Sequence, residues 1–403
     1  MKETDNSVEY TPKEELNRRI ARFQRVLLEK GLDASFILQK ADLFYFSGTV
    51  QSSILCIPAE GSPVLLTRKS FERAQRESAL ENIVPLTSYR ELLNLLRDNG
   101  ITTLDHIGME LDTVPWSLFM SYQKMFPKSE FADISSAVKN LRMIKSLYEV
   151  DQLRKAGKIS DEVLEKVRGE LKEGRTEVEV ASELLKISFE RGSHGPGMFR
   201  DWNQGAFALP IVLSGESGAV PSFTDGPFGG SGINCIVPVG PSTKKIKTHE
   251  PIVIDIGTSY NGYQTDVTRT YSVGEISSFL SDAYDTTLKI EERLKRELVP
   301  GKACSDLYKI AEEMAQSLGY GDNFMGYGNN RVRFVGHGIG IEMNEFPVLA
   351  KGFDMPLEEG MTIAIEPKLI FPGLGAVGIE NTWLIKKSHP EPLTMTAETL
   401  GIL

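Results

Sequence analysis

The sequence is poor in the features that mark secreted and membrane-bound proteins. It has three cysteines in 403 residues, at the widely separated positions Cys56, Cys235 and Cys304. An odd number of cysteines without metal-ligand spacing is typical of reduced thiols and excludes a disulfide framework. No apolar run is long enough to span a membrane, and the first residues contain no apolar signal-peptide core. We therefore expect a cytoplasmic protein that does not act in a membrane.

An excess of positive charge is also missing. The chain has 45 basic and 55 acidic residues, which gives a formal net charge of −10. This balance argues against nucleic acid or an anionic membrane surface as the main partner. A length of 403 residues is long for one domain and suits two.

The first pattern of interest is a pair of strand-like runs in residues 252–271, on either side of Asn261-Gly262. Asn-Gly is the strongest short-range signal for a two-residue hairpin turn, because both residues tolerate a positive φ. Such a turn pairs Gly257 with Asp266 and puts Asp255 on the same face, diagonal to Asp266 and about 7 Å away at Cβ. Two ionised carboxylates so close favour a bound cation. Two solvated aspartates on an exposed hairpin would give the same pattern.

A second strand-turn-strand pattern covers residues 361–385, with Pro372-Gly373 at its turn. Glu366 and Glu380 are equidistant from Gly373, so a hairpin centred there places them opposite each other. Both glutamates interrupt apolar runs, where an unpaired carboxylate is disfavoured. The second hairpin therefore adds two more acids to a common site.

Histidine is scarce, with five in the chain, but His337 stands between the acidic hairpins in the glycine-rich segment 334–340. The glycines would let the backbone approach a ligand closely. Four carboxylates and one imidazole suit a pair of divalent cations better than one. This oxygen-rich donor set favours Mn, Co or Fe over a thiolate-type zinc site, without excluding Zn.

The five candidate ligands follow in the order Asp255, Asp266, His337, Glu366 and Glu380. This order, with the motifs GHGIG, IEP and IEN, resembles the pita-bread metallopeptidases, which include aminopeptidase P, prolidase and methionine aminopeptidase. The resemblance implies an α/β N-terminal domain of the creatinase type over residues 1–140. It also implies an α+β pita-bread catalytic domain over residues 141–403, built from two pseudo-twofold helix-helix-hairpin halves.

The same resemblance implies a role for each ligand and an activity. Asp255 would bind one of two divalent ions, with manganese favoured, and His337 and Glu366 would bind the other. Asp266 and Glu380 would bridge the two ions. Glu366 would also serve as the proton shuttle, so that Glu366 and His337 are the implied catalytic residues. The implied reaction is hydrolysis of an Xaa-Pro bond, by an aminopeptidase or a dipeptidase acting on short peptides, and the implied assembly is a homodimer.

Two positions depart from the peptidase pattern. Where the family carries substrate-contacting histidines, this chain has Ser222 and Asn344. Both can donate hydrogen bonds, but neither can carry charge or relay a proton as an imidazole does. Loss of such an oxyanion donor typically costs about 10²–10³ in rate. His194, in a Gly/Pro-rich segment, is the candidate substitute.

Four functions therefore compete. The first is an Xaa-Pro aminopeptidase or dipeptidase. The second is a metal-dependent non-peptidase on the same fold, such as a lyase with a small zwitterionic substrate, which the missing histidines favour. The third is a binding homologue without catalysis, against which the retained ligands count. Creatinase, which works without metal and with the histidine, is the fourth.

The remaining patterns predict alternating helices and strands in the front part. A helix is expected from Pro12 to Lys30, and strands at ASFIL, LFYFSG, SILCIP and PVLLT. Further helices are expected at about 146–173, 176–191, 277–298 and 305–318. The segment 192–240 is rich in Gly, Pro and Ser, yet Trp202, Phe207 and Phe223 argue against disorder. It is either an ordered surface loop or a wall of the substrate pocket.

Overall fold

The computed structural model describes residues 8–195, 197–200 and 210–403. Trp202 and Phe207, on which the predicted pocket wall partly depends, lie outside these ranges. No described helix is long and apolar enough to cross a membrane. The three cysteines are free thiols, with Cys235 the exposed one.

The N-terminal unit consists of the chain up to Arg142 together with Arg200. Its helices are α1 (Lys13–Glu29), α2 (Lys40–Ser47), α3 (Phe71–Glu77), α4 (Leu92–Asp98), α5 (Trp116–Met125) and α6 (Ser135–Met143). Its strands are β1 (Ala34–Ile37), β2 (Ser53–Pro58), β3 (Val64–Thr67), β4 (Ile83–Pro85), β5 (His106–Met109) and β6 (Glu130–Asp133). Within the described residues, the strands form a mixed sheet in the order β4-β3-β2-β1-β5-β6.

The aromatic content of the segment LFYFSG predicted a strand. In the structure the segment instead forms the greater part of helix α2. The Gln39 side chain caps the start of the helix by accepting a hydrogen bond from the Asp42 amide. Gly48, with φ 73°, ends it in the left-handed conformation that glycine favours. Caps at both ends and burial outweigh the weak strand preference of the aromatic residues.

The C-terminal unit runs from Met143 to Phe199 and on to Leu403. Its helices are α7 (Leu147–Glu170), α8 (Glu177–Glu190), α9 (Ser278–Glu297) and α10 (Cys304–Ser317). The strands of its first half are β7 (Ile211–Ser214), β8 (Ile252–Tyr260) and β9 (Tyr263–Ser272). Those that follow are β10 (Phe334–Gly338), β11 (Glu345–Ala350), β12 (Thr362–Ile365), β13 (Lys368–Phe371), β14 (Gly375–Gly378), β15 (Asn381–Leu384), β16 (Glu391–Pro392) and β17 (Gly401–Ile402).

The order of elements confirms the predicted repetition of a helix pair followed by an acidic hairpin. Helices α7 and α8 begin at capping boxes of Ser146 and Thr176, in which side chain and backbone exchange hydrogen bonds with a glutamate three residues on. Helices α7 and α8 and strands β7–β9 share one apolar core, and α9 and α10 share another with β10–β15. Each acidic hairpin is thus backed by its own helix pair.

The first hairpin has the predicted register. Strands β8 and β9 pair so that Gly257 lies opposite Asp266 and Asp255 opposite Thr268. The turn residues Asn261 and Gly262 have φ values of 46° and 87°, which a two-residue hairpin of this kind requires. Asp255 and Asp266 therefore lie on one face, as the sequence predicted.

The second hairpin keeps the predicted register but not as one continuous ladder. Strand β12 pairs with β15, and β13 with β14, in the same register on both sides of the two glutamates. At the break, the Glu366 amide donates to the Val335 carbonyl and the Glu380 amide to the Thr268 carbonyl. Pro367 follows the break and has no N–H for a ladder bond. The glutamates thus lie where the strands pass from one sheet to another.

Threonine hydroxyls of β9 and β15 hold the two hairpins together. The Thr382 hydroxyl accepts from the Asp266 amide, at 3.0 Å, and donates to its carbonyl. Thr268 donates to the Glu380 carboxylate at 2.7 Å, and Thr270 donates to the Gly378 carbonyl at 2.8 Å. Every second residue of β9 from Asp266 to Thr270 thus contacts every second residue of the second hairpin from Thr382 back to Gly378. These contacts fix the distances between the acidic side chains of the two hairpins.

A buried polar network lies beneath this seam. The Arg269 guanidinium donates to the Glu380 carbonyl and to the Asn381 side-chain oxygen. The Asn381 amide in turn donates to Glu291 on α9 at 2.7 Å. Burial, reinforced by Glu398, raises the pKa of Glu291 to about 8. The ordinary value is 4.5. The folded protein therefore holds a proton that the unfolded chain releases, so stability falls as pH rises between these two values.

We predict that Glu291→Gln removes part of this pH dependence. The amide keeps an acceptor oxygen for Asn381 but does not ionise, so the variant should gain stability over the wild type as pH rises from 6 to 8. The gain is at most about 1.4 kcal/mol per pH unit. Urea unfolding at several pH values measures it. Glu292→Gln, a change at the neighbouring exposed residue, is the control, and equal slopes for all three proteins would contradict the prediction.

Candidate active site

Strands β8, β9 and β10 and the break in the second hairpin bring the five candidate ligands together. Asp255 and Asp266 come from the first hairpin, and His337 from β10, which pairs with β12. Glu366 and Glu380 lie at the break in the second hairpin, between the β12–β15 and β13–β14 pairs. The His337 Nε2 atom lies 3.8 Å from Glu366 and 3.9 Å from Glu380. All five predicted residues therefore belong to one cluster.

A lysine stands in the middle of this cluster. The Lys368 ammonium lies 2.8 Å from Glu366 Oε2, 2.9 Å from Glu380 Oε2 and 3.4 Å from Asp255 Oδ2. Its side chain is 2% exposed. Lys368 was not among the residues predicted from the sequence. Its position two residues after Glu366 could have placed it beside the candidate ligands, because residues i and i+2 of an extended chain point to the same side.

The tautomer of His337 follows from its hydrogen bond. Its Nδ1 lies 3.0 Å from the Gly338 carbonyl oxygen, which can only accept. The proton is therefore on Nδ1, and the Nε2 lone pair faces the carboxylates, which is the arrangement of a metal-binding histidine.

The glycines around His337 serve a different purpose from the one predicted. A Cβ atom on Gly336 would lie 2.4 Å from the Ala364 carbonyl oxygen, and one on Gly338 would lie 2.2 Å from that of Phe346. The glycines thus allow close approach of β11 and β12 to β10. The expectation that they bring the backbone close to a ligand is wrong at these two positions, because protein backbone fills the space.

The cluster contains a place that fits one metal ion. Ligand atoms of Asp266, His337 and Glu380 lie within 4.8 Å of one another. The Glu380 carboxylate uses Oε2 to accept from Thr268 and Lys368, whereas its buried Oε1 has no hydrogen-bond partner. A buried, unpartnered carboxylate oxygen is costly unless a cation meets it. Two carboxylates and a neutral imidazole are donors that first-row divalent metals accept.

Electrostatics in the cluster balance burial against charge pairing. Burial, with the carboxylates of Glu380 and Asp255, raises the pKa of Asp266 well above its ordinary value. Burial alone would lower the pKa of Lys368, but Glu366, Glu380 and Asp255 outweigh it and raise that pKa. Burial likewise favours the protonated form of Glu380, yet the Lys368 ammonium and the hydrogen bonds from Lys368 and Thr268 bring its pKa below the ordinary value. Lys368 is thus charged at neutral pH and stabilises ionised Glu380.

The three predicted substrate-binding residues lie in loops. The Ser222 hydroxyl donates to the Pro238 carbonyl at 2.8 Å, and its Cβ lies 2.3 Å from where a Cβ on Gly229 would be. Asn344 is exposed. His194 is exposed too, and its amide donates to the Ser259 hydroxyl.

The long segment before the first hairpin borders a cavity. The cavity has a volume of about 480 Å³ and is lined by residues that include Val220, Pro221, Tyr327 and Gly373. None of the five candidate ligands is among its lining residues. The described part of the segment is therefore a loop beside a cavity that the five candidate ligands do not line.

Comparison with known proteins assigns the family. Residues 151–387 match the model of metallopeptidase family M24, and residues 19–144 match that of the creatinase/prolidase N-terminal domain. An Xaa-Pro dipeptidase of Pyrococcus furiosus is 28% identical over 387 residues, which cover 96% of this chain and 100% of that protein. An Xaa-Pro dipeptidase of Lactobacillus delbrueckii is 26% identical over 393 residues, with 95% and 98% covered.

Solved structures agree with the sequence matches. The prolidase from Pyrococcus horikoshii superimposes with a TM-score of 0.80 at 26% identity, covering 94% of this chain and 99% of that one. The Xaa-Pro dipeptidase from Bacillus anthracis gives 0.82 at 26% identity, with 96% and 100% covered. These matches confirm the resemblance and the predicted fold class. The chain belongs to metallopeptidase family M24, whose members use divalent metals, and combines a creatinase-type N-terminal domain with a pita-bread catalytic domain.

Proposed function

We propose that this chain is a metal-dependent hydrolase that cleaves Xaa-Pro dipeptides. The observation that carries the proposal is the buried, unpartnered oxygen of Glu380 beside His337 Nε2 and Asp266. Similar proteins named Xaa-Pro dipeptidase support the substrate class. Because these similar proteins are dipeptidases, we prefer this activity to that of an aminopeptidase acting on longer peptides.

The proposed metal centre is formed by the five predicted residues, Asp255, Asp266, His337, Glu366 and Glu380. A bound divalent cation, with Mn²⁺ favoured by the oxygen-rich donors, would lower the pKa of a water molecule and polarise the scissile carbonyl. His337 is oriented for this role by its bond to the Gly338 carbonyl. Glu366 is the proposed proton shuttle, and its Oε1 is the oxygen that does not contact Lys368.

A second candidate function rests on Ser222 and Asn344. In place of two histidines that would stabilise a tetrahedral intermediate, these residues offer only neutral hydrogen bonds. A metal-dependent lyase acting on a small zwitterion does not need that stabilisation. We keep it as the alternative to the dipeptidase.

Three further proposals follow from the family. We propose a domain boundary between residues 140 and 141. We also propose that the protein is cytoplasmic and that it assembles as a homodimer. Light scattering tests the assembly and should give twice the mass of one chain at micromolar concentration. A single-chain mass across that range would contradict it.

We predict that Asp266→Asn weakens Mn²⁺ binding by more than roughly 10–100-fold. That range is typical when a residue that contacts a metal ligand, and not the metal itself, is replaced. The asparagine keeps the shape but removes a charged ligand. The rise in melting temperature on adding a fixed concentration of Mn²⁺ should therefore shrink, because a bound ligand at free concentration L stabilises by RT ln(1 + L/Kd) and Kd is larger in the variant. The metal-free protein should not lose stability, since one buried like charge is removed.

Calorimetric titration and thermal scans with and without Mn²⁺ measure both effects. Asp285→Asn, the same change at an exposed position on α9, is the matched control. Unchanged Mn²⁺ content in the Asp266 variant would rule out the ligand assignment.

We also predict that Asn344→His raises kcat on Xaa-Pro dipeptides by about tenfold or more, with a smaller change in KM. An interaction gained only in the transition state appears in kcat, and one oxyanion donor is typically worth about 10²–10³. Asn344 is exposed and can accept the larger side chain, whereas Ser222 lies against the Gly229 backbone. Asn344→Gln is the control without an imidazole.

The assay compares Xaa-Pro dipeptides, longer Xaa-Pro peptides and small zwitterions. Preference of the wild type for dipeptides supports the proposal. Loss of a native activity on a small zwitterion in the Asn344 variant, with no dipeptide cleavage by either protein, would instead establish the lyase.

A further inference from the structure

The position of Lys368 sets a limit on how many metal ions the cluster can hold. A divalent ion bound by oxygens lies about 2.0–2.6 Å from each of them. The ammonium already lies within 2.8–3.4 Å of one oxygen each of Asp255, Glu366 and Glu380. An ion bound to the same three oxygens would overlap the ammonium. Metal ion and ammonium therefore exclude each other at this place.

The surroundings of Lys368 are shaped to receive its side chain. Gly378 is its cross-strand partner in the β13–β14 pair. A Cβ atom on Gly378 would lie 2.5 Å from Lys368 Cγ, so a side chain there would displace the lysine stem. The ring centroid of Phe228 lies 4.9 Å from the ammonium, close enough for a cation–π attraction. Space for the stem, an aromatic face and three carboxylates together define a built site for one ammonium.

The rest of the cluster keeps its capacity for a metal ion. Glu380 divides its two oxygens, with Oε2 on Lys368 and the unpartnered Oε1 directed towards His337. Asp266 makes no ion pair with Lys368, and one of its oxygens belongs to the group that could hold a metal. Oε2 of Glu380 thus contacts the Lys368 ammonium, whereas Oε1 faces the place that could hold a metal ion.

We propose that Lys368 takes the place of one of the two divalent ions that the five ligands would otherwise hold. The protein then binds a single divalent ion, at Asp266, His337 and Glu380, and the ammonium neutralises the side formed by Asp255 and Glu366. This inference rests on the proposed metal centre and replaces the expectation of two ions. It also explains how carboxylates without a second ion remain buried.

The test is the number of Mn²⁺ ions per chain in the wild type and in Lys368→Gly. Stoichiometry comes from calorimetric titration and from elemental analysis after dialysis against Mn²⁺. Electron paramagnetic resonance adds a second readout, because an isolated Mn²⁺ gives a six-line spectrum and a close pair gives an exchange-coupled one. We expect one ion and an isolated spectrum for the wild type. We expect two ions and a coupled spectrum for Lys368→Gly, in which the space is open and three carboxylates are unpaired.

Two further variants distinguish the effect of the volume of the Lys368 side chain from the effect of its charge. Lys368→Met keeps most of the volume without the charge and should bind one ion, as the wild type does. Lys244→Met removes a lysine that pairs with Glu250 outside the cluster and should leave the count at one. If the glycine variant does not fold, the wild-type count alone decides the claim.

The outcomes for this inference and for the proposed function are distinct. Two ions in the wild type, or a coupled spectrum, would overturn the inference while leaving a dipeptidase possible. One ion without any cleavage of Xaa-Pro dipeptides would keep the inference and reject the substrate. No bound ion in the wild type would overturn both.

Discussion

Four carboxylates meet at one place in the C-terminal unit, and their mutual repulsion is the constraint that the site must satisfy. Burial makes each charge more costly, and a lone buried carboxylate would take up a proton instead. The chain supplies one compensating charge itself, since the Lys368 ammonium contacts three of the four acids. The fourth, Asp266, lies with His337 and the unpartnered oxygen of Glu380, where we propose that a divalent metal supplies the remaining charge.

The strand framework holds these charges at fixed distances. Hydroxyls of Thr268, Thr270 and Thr382 join strand β9 to the second hairpin. That hairpin breaks at Glu366 and Glu380, whose backbone amides bond to neighbouring strands instead of to each other. The Glu380 carboxylate, at this break, accepts a hydrogen bond from Thr268 of the first hairpin. A mutation in this seam is expected to alter metal affinity through geometry rather than through charge.

Much of this arrangement could be predicted from the sequence because it is local. The Asn261-Gly262 turn determines the register of the first hairpin, and equal spacing from Gly373 determines that of the second. Features that depend on non-local packing could not be predicted from the sequence. The helix at LFYFSG depends on a cap from Gln39, and the glycines beside His337 make room for other strands. Lys368 was missed because an acidic motif directs attention to its carboxylates, and only the fold reveals that a cation lies among them.

Anomalous diffraction from crystals grown with Mn²⁺ tests the account most directly, because it locates each ion and the Lys368 side chain in the same experiment. We expect one anomalous peak per chain, among Asp266, His337 and Glu380. The Lys368 ammonium should remain between Asp255 and Glu366. Two peaks per chain, with the Lys368 side chain displaced from the cluster, would contradict it.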